Sequence, residues 1–176
     1  MILSKVWLST NKGNNKMTLS TFSAPINERY FEDYIEGSVF EYGPLDVSES
    51  EIIEFAKQFD PQVMHLDPRA AASGPFQGLI ASGWHTLGLM MRLFVDNYLS
   101  SVASRASPGV DEVRWFKPVR PGDQLRLRIS ILETRLSRSK PDRGMVISLL
   151  EGINQNEEVV ASVKPMNFLA LRNPAV

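Results

Sequence analysis

In "FDPQVMHLDP", residues 59–68, Asp60 stands five positions before His65, the first of two histidines in the chain. A carboxylate and an imidazole are side chains suited to moving protons near neutral pH. From spacing alone two readings fit. The pair works on one substrate, or Asp60 merely ends a helix and His65 is a hydrogen-bonded histidine near the start of the next. The other histidine, His85, falls in the first turn of the longest predicted helix. His65, Asp67 and His85 make a thin ligand set for a metal, with no further histidine and no cysteine to complete it. Neither a metal nor a cofactor is expected. The lack of cysteine also excludes disulfides and thiol catalysis outright.

The elements that must position these residues are legible around them. "SVFEYGPLDV" (38–47) reads as a strand ending at Gly43-Pro44. A helix then opens with Ser48 as N-cap and Glu51 at the capping-box position. Ile52, Phe55, Ala56 and Phe59 give it an apolar face, and Pro61 stops it near Asp60. A short helix is predicted in "LDPRAAAS" (66–73), with Asp67 as cap and Pro68 in the first turn. "GPFQGLIASG" (74–83) is a glycine-punctuated loop. The long helix runs from Ser82 to about Ser100. Leu87, Met90, Met91, Phe94 and Tyr98 form its stripe, and Leu89, Leu93 and Val95 lie off it, so it is expected to be buried on most sides. Beyond residue 108, four strands are predicted over 109–119, 123–139, 143–154 and 157–172, with turns at 120–123, 140–144 and 154–157. Leu125, Leu127, Ile129 and Ile131 alternate with polar residues, as in an antiparallel sheet wet on one face. The economical arrangement is α+β, a single hot-dog domain in which about five antiparallel strands wrap around the long central helix.

Composition sets the outer limits. The 176 residues suit one domain with a tail, 43% hydrophobic and 22% charged, with net charge −1. That balance gives no pull toward nucleic acid or a membrane surface. No apolar run reaches the length of a membrane helix. The opening stretch has a brief apolar patch and then polar residues, without the continuous apolar centre of a signal peptide. Residues 1–25 are expected to be a flexible tail, with Met17 an alternative start, and 26–176 the folded domain. A cytoplasmic setting is expected, since nothing calls for an oxidising one. Residues 105–143 hold ten Arg or Lys against five Asp or Glu. They read either as a solvated sheet face or as contacts to phosphate groups. They lack the interleaved aromatics of a nucleic-acid surface.

Three segments resemble the MaoC-like dehydratases, the group that includes the (R)-specific enoyl-CoA hydratases. They are "FDPQVMHLDPRAA" (59–71), "GPFQGLIASGWHTLGLMMRL" (74–93) and "RWFKPVRPGD" (114–123), and with the strand order the resemblance covers roughly residues 30–170. It implies that Asp60 and His65 are the catalytic pair and that the N–H of Gly83 binds a thioester oxygen. Three positions depart from the hydratase pattern: Gln62 stands for Asn, Val63 for Pro, and Met91 falls where a supporting Ser is found.

Hydration of an enoyl thioester needs a water aimed at the β carbon, a proton for the α carbon and a partner for the developing enolate oxygen. Asp60 and His65 suit the first two, and a helix N-terminus suits the third. Ser82, Gly83, Trp84 and His85 are the candidate substrate contacts, although His85 also fits as a packed histidine. The expected activity is that of an acyl-CoA hydratase or dehydratase, a hydro-lyase of fatty acid metabolism acting on acyl-CoA or acyl-carrier-protein thioesters. The alternative is a hot-dog protein that binds thioesters without this chemistry, or a thioesterase. A homodimer is expected, because one sheet around one helix leaves an edge and apolar surface for a second copy.

Overall fold

The computed structural model describes residues 18–174. Met17 and most of the expected tail lie outside them. The tail's described part is held against the domain. Ser20 N–H donates to Val39 O at 2.6 Å, and the Phe22 ring stacks on Phe40 at 4.3 Å. The domain's own contacts therefore begin before residue 26.

The sheet is five-stranded and antiparallel, in the order β1-β3-β4-β5-β2. β1 is Val39–Asp46, β2 Ser104–Trp115, β3 Gln124–Leu136, β4 Arg143–Ile153 and β5 Val159–Ala170. β1 does not end at Gly43-Pro44 as expected. Its pairing with β3 shifts between Tyr42 and Leu45, then resumes at Leu45 opposite Leu125. An edge strand tolerates a proline, whose missing N–H need not face a neighbour. Gly43 takes a φ of +113°, and a Cβ there would lie 2.8 Å from Leu125 O. β2 starts earlier than predicted, at Ser104, and stops at Trp115, just ahead of Pro118.

α1, Glu49–Phe59, is capped as the sequence implies. Ser48 Oγ accepts the Glu51 N–H at 3.2 Å, and the Glu51 carboxylate returns to the Ser48 N–H at 3.3 Å. Between α1 and the predicted short helix lies an unforeseen turn, α2, Val63–Leu66. α3, Pro68–Ala72, follows with Asp67 as its cap. α4, Gly83–Asn97, is the central helix, N-capped by Ser82. Met90, Leu93 and Phe94, with Tyr98 at its C-cap, pack into one core with Leu125, Leu127 and Ile129 of β3 and Leu150 of β4. The expectation of burial on most sides fails for the single chain. Trp84, Met91 and Val95 are 63%, 48% and 46% exposed, and they share one helix face. The far end of α4 is pinned: Arg29 donates to Asn97 O at 2.7 Å, and the Tyr34 hydroxyl to Tyr98 O at 2.9 Å. That anchoring fixes where the opposite end, with Ser82 and Gly83, meets α1.

Candidate active site

Asp60 is the C-cap of α1, where Pro61 forces the chain out of the helix. Both oxygens of its carboxylate are engaged. Oδ1 accepts from Gln62 Nε2 at 2.7 Å, and Oδ2 accepts from Ser82 Oγ at 2.7 Å. These two donors, Gln62 first, hold the carboxyl below its usual range against the opposing cost of burial, with a lesser contribution from His65. Asp60 is thus held as an acceptor.

His65 sits on α2 and is only 4% exposed. Its Nδ1 lies 2.8 Å from Ile80 O. A carbonyl only accepts, so Nδ1 carries a proton and the neutral ring keeps its lone pair on Nε2. Nε2 faces Asp60 Oδ2 at 3.5 Å. Two acceptors at that separation present a water molecule with a place for each of its hydrogens. The Ile80 carbonyl that sets the tautomer is itself placed by the backbone. Ile80 N–H donates to Met64 O at 3.1 Å, and Ala81 N–H to Val119 O at 2.8 Å.

Asp60 and His65 open into a cavity of about 420 Å³, also lined by Gly83, Trp84 and Thr86 from α4 and by Trp115 at the end of β2 and the residues to Val119 that follow it. Gly83 is the first residue of α4, where an N–H has no partner within the helix. The Trp115 indole N–H donates to Gly83 O at 2.9 Å, and a Cβ on Gly83 would lie 2.7 Å from that ring. Close packing by the indole is therefore a second reason for glycine here. Trp84 meets Trp115 edge to face, with ring centroids 5.7 Å apart.

Two expected substrate contacts stand elsewhere. His85 points away from the cavity, because one residue along a helix turns its side chain by about 100°. It stacks on Phe55 of α1 at 4.9 Å, and burial pushes its imidazole below the usual range, with Glu51 opposing. Ser82 is fully buried behind the cavity wall and acts on Asp60 instead. The sequence reading assigned no role to Gln62, Thr86, Phe76, Trp115 or Phe116. All five lie inside stretches it singled out, but only the fold turns them toward Asp60 and His65. Much of the basic stretch is neutralised on the sheet: Arg126 pairs with Glu41 and Glu157, Arg128 with Glu41, and Lys117 with Glu158.

The five-stranded antiparallel sheet wrapped around α4 defines a hot-dog fold, and the start of α4 and the His/Asp couple meet at one cavity. The model of the MaoC like domain family matches residues 31–148, and the chain belongs to that family. "Uncharacterized protein YdeM" of Bacillus subtilis (strain 168) is 33% identical over 126 residues, 72% of this chain and 88% of that protein. "3-hydroxyacyl-thioester dehydratase Z" of Mycobacterium tuberculosis (strain ATCC 25618 / H37Rv) is 35% identical over 90 residues, 50% of this chain and 60% of that relative. Among solved structures, the MaoC-like dehydratase from Rhodospirillum rubrum superposes with a TM-score of 0.76 at 36% identity, over 82% of this chain and 99% of that one.

Proposed function

We propose that the protein is a hydro-lyase that reversibly adds water to an enoyl thioester. The observation that carries the reading is the pair of acceptors, Asp60 Oδ2 and His65 Nε2, 3.5 Å apart at the wall of one cavity. A water held between them donates one hydrogen to each. As its oxygen bonds to the β carbon, one proton passes to Nε2, and the imidazolium returns a proton to the α carbon. The net change is H and OH across the double bond, with His65 restored. Asp60 stays ionised throughout, aiming the water and stabilising the imidazolium. The N–H of Gly83 and the positive end of α4 stabilise the thioester oxygen as it becomes enolate-like.

The substrate in this reading is an acyl-CoA or acyl-carrier-protein thioester, handled in the cytoplasm. A second copy of the chain covers the exposed α4 face of Trp84, Met91 and Val95. The test is a panel of enoyl-CoA thioesters followed by loss of enoyl absorbance, with free thiol measured in parallel. Loss of absorbance without thiol release supports the hydro-lyase. Thiol release assigns the same cavity to a thioesterase.

A further inference from the structure

We propose that Arg120 is the positioning residue of a lid over this cavity: it pins the loop 73–78, so that Phe76 closes on the acyl chain of the substrate and makes the site select for acyl length. The inference rests on the reading of the cavity as one that takes an acyl thioester.

The backbone hydrogen bonds of the loop fall back on its own base. Ser73 N–H donates to Ala70 O at 3.2 Å, the Gly74 and Gly78 N–H groups to Ala71 O at 3.0 Å each, and Gln77 N–H to Gly74 O at 3.0 Å. Burial resumes only at Leu79. Among the described residues, the hydrogen bond that ties the tip to the rest of the domain comes from Arg120, whose Nη2 donates to Phe76 O at 2.7 Å. The guanidinium lies against the loop backbone. A Cβ on Gly78, where φ is +146°, would lie 3.1 Å from Nη1, so glycine leaves it room. Arg120 is itself anchored. Its N–H donates to Asp123 Oδ2 at 2.8 Å, and Gly122 N–H in the same turn donates to Val47 O at 2.8 Å, beside the end of β1.

The neighbouring walls are held by backbone bonds instead. Ala81 N–H reaches Val119 O at 2.8 Å, and Phe116 N–H reaches Val160 O at 2.8 Å. Phe76 is therefore a lining residue whose place depends on a side chain. It is 40% exposed, and it shares the lining with Met64, Ile80 and Val119. Asp60, His65 and Gly83 fix the reacting end of the substrate, so this apolar surface is left for the carbons beyond it. Each methylene covered there raises affinity by about fourfold. A loop with few buried contacts opens at little cost, which admits the chain before Arg120 closes Phe76 over it.

The test is calorimetric binding of butyryl-CoA and octanoyl-CoA, saturated thioesters that report affinity without hydration, alongside kcat/KM on the matching enoyl thioesters. The wild type is expected to bind octanoyl-CoA the more tightly. Phe76→Ala should lose roughly tenfold more affinity for octanoyl-CoA than for butyryl-CoA. Arg120→Met should shift the same ratio in the same direction, and adding it to Phe76→Ala should shift it no further, because the two act as one unit. Arg120→Lys keeps a donor and recovers part of the ratio. Amide exchange in Arg120→Met should rise at Gln77 and Gly78 but not at Ala81 or Phe116, which separates a freed loop from a general loss of fold. Equal losses on both thioesters in Phe76→Ala, a wild-type ratio in Arg120→Met, or additive effects in the double variant would overturn the proposal. If the saturated thioesters show the expected ratios and no enoyl thioester is hydrated, the lid stands and the hydratase reading is what fails.

Discussion

In the proposed hydration, His65→Ala removes the lone pair that would take the proton, and Asp60→Asn removes the charge of the carboxylate that would aim the water. Each is expected to lower kcat by about 10² to 10⁴, the usual cost of losing a positioned acid or base. Thermal melts are expected to fall, because His65 is buried against the Ile80 carbonyl and Asp60 accepts two hydrogen bonds, so turnover is measured per folded molecule to separate loss of chemistry from loss of fold. The two histidines also differ in how they respond to acid. His85 is buried with its imidazole pushed below the ordinary range. The unfolded chain then binds a proton at His85 that the folded chain refuses. Its neutral burial costs nothing above the ordinary imidazole value of about 6.5, and stability falls as pH drops below it. Asp60 behaves as a carboxylate held low: its contribution is present above about 3.9 and is lost as pH falls through its folded value. Urea melts at pH 7.5 and 5.5 should therefore show a smaller acid loss in His85→Phe than in wild type. Equal losses in the two proteins would place the acid sensitivity elsewhere. For Asp60 and His65 spacing alone left two readings open and only the resemblance favoured proton transfer, while the fold brings the two side chains to 3.5 Å. Ser82 was legible only as a neighbour of Gly83, since its use depends on a residue 22 positions away.

Where side chains cap or punctuate the backbone, the elements follow local rules. Ser48, Glu51 and Asp67 cap α1 and α3 as their positions imply. Replacing Ser48 by alanine should cost about 1 kcal/mol of stability in a urea melt, with turnover unchanged. Local rules did not find α2, because four residues carry too little pattern to show a helical period. They also stopped β1 too soon, because a proline breaks a central strand but not an edge one. Gly83 shows a local signal with two sources. In the proposed reaction a substrate oxygen approaching the N–H favours glycine there, and the indole of Trp115 packed on the same backbone favours it as well. Gly83→Val is expected to push the Trp115 ring aside, changing its fluorescence emission, and to lower kcat more than it weakens acyl-CoA binding. A variant with displaced emission but normal turnover per folded molecule would leave packing as the glycine's whole purpose.

For the molecule as a whole, the reading of α4 as apolar on most sides described more burial than one chain supplies. Trp84, Met91 and Val95 remain exposed in the single chain. A sequence pattern records every surface that is covered, by the same chain or by another. The sheet that must cover the inner face was legible from the alternation of Leu125, Leu127, Ile129 and Ile131, all 2% exposed or less. β2 and β1 stand at the sheet's edges, and an edge beside an apolar helix face suits a second copy. Light scattering at micromolar concentration is expected to give twice the chain mass, and Met91→Asp with Val95→Asp should shift it toward monomer. A wild-type monomer under those conditions would remove the second copy from the account.

The central claim is that Asp60 and His65 act together on a water. The most direct measurement is incubation of the wild type, and of His65→Ala, with an enoyl-CoA thioester in water enriched in ¹⁸O, followed by mass spectrometry of the product. The expected product is a 3-hydroxyacyl thioester with one ¹⁸O at the β carbon, formed by the wild type and by His65→Ala at a rate lower by about 10² or more. Label found only in a free carboxylic acid, or hydration at the wild-type rate in His65→Ala, would contradict it.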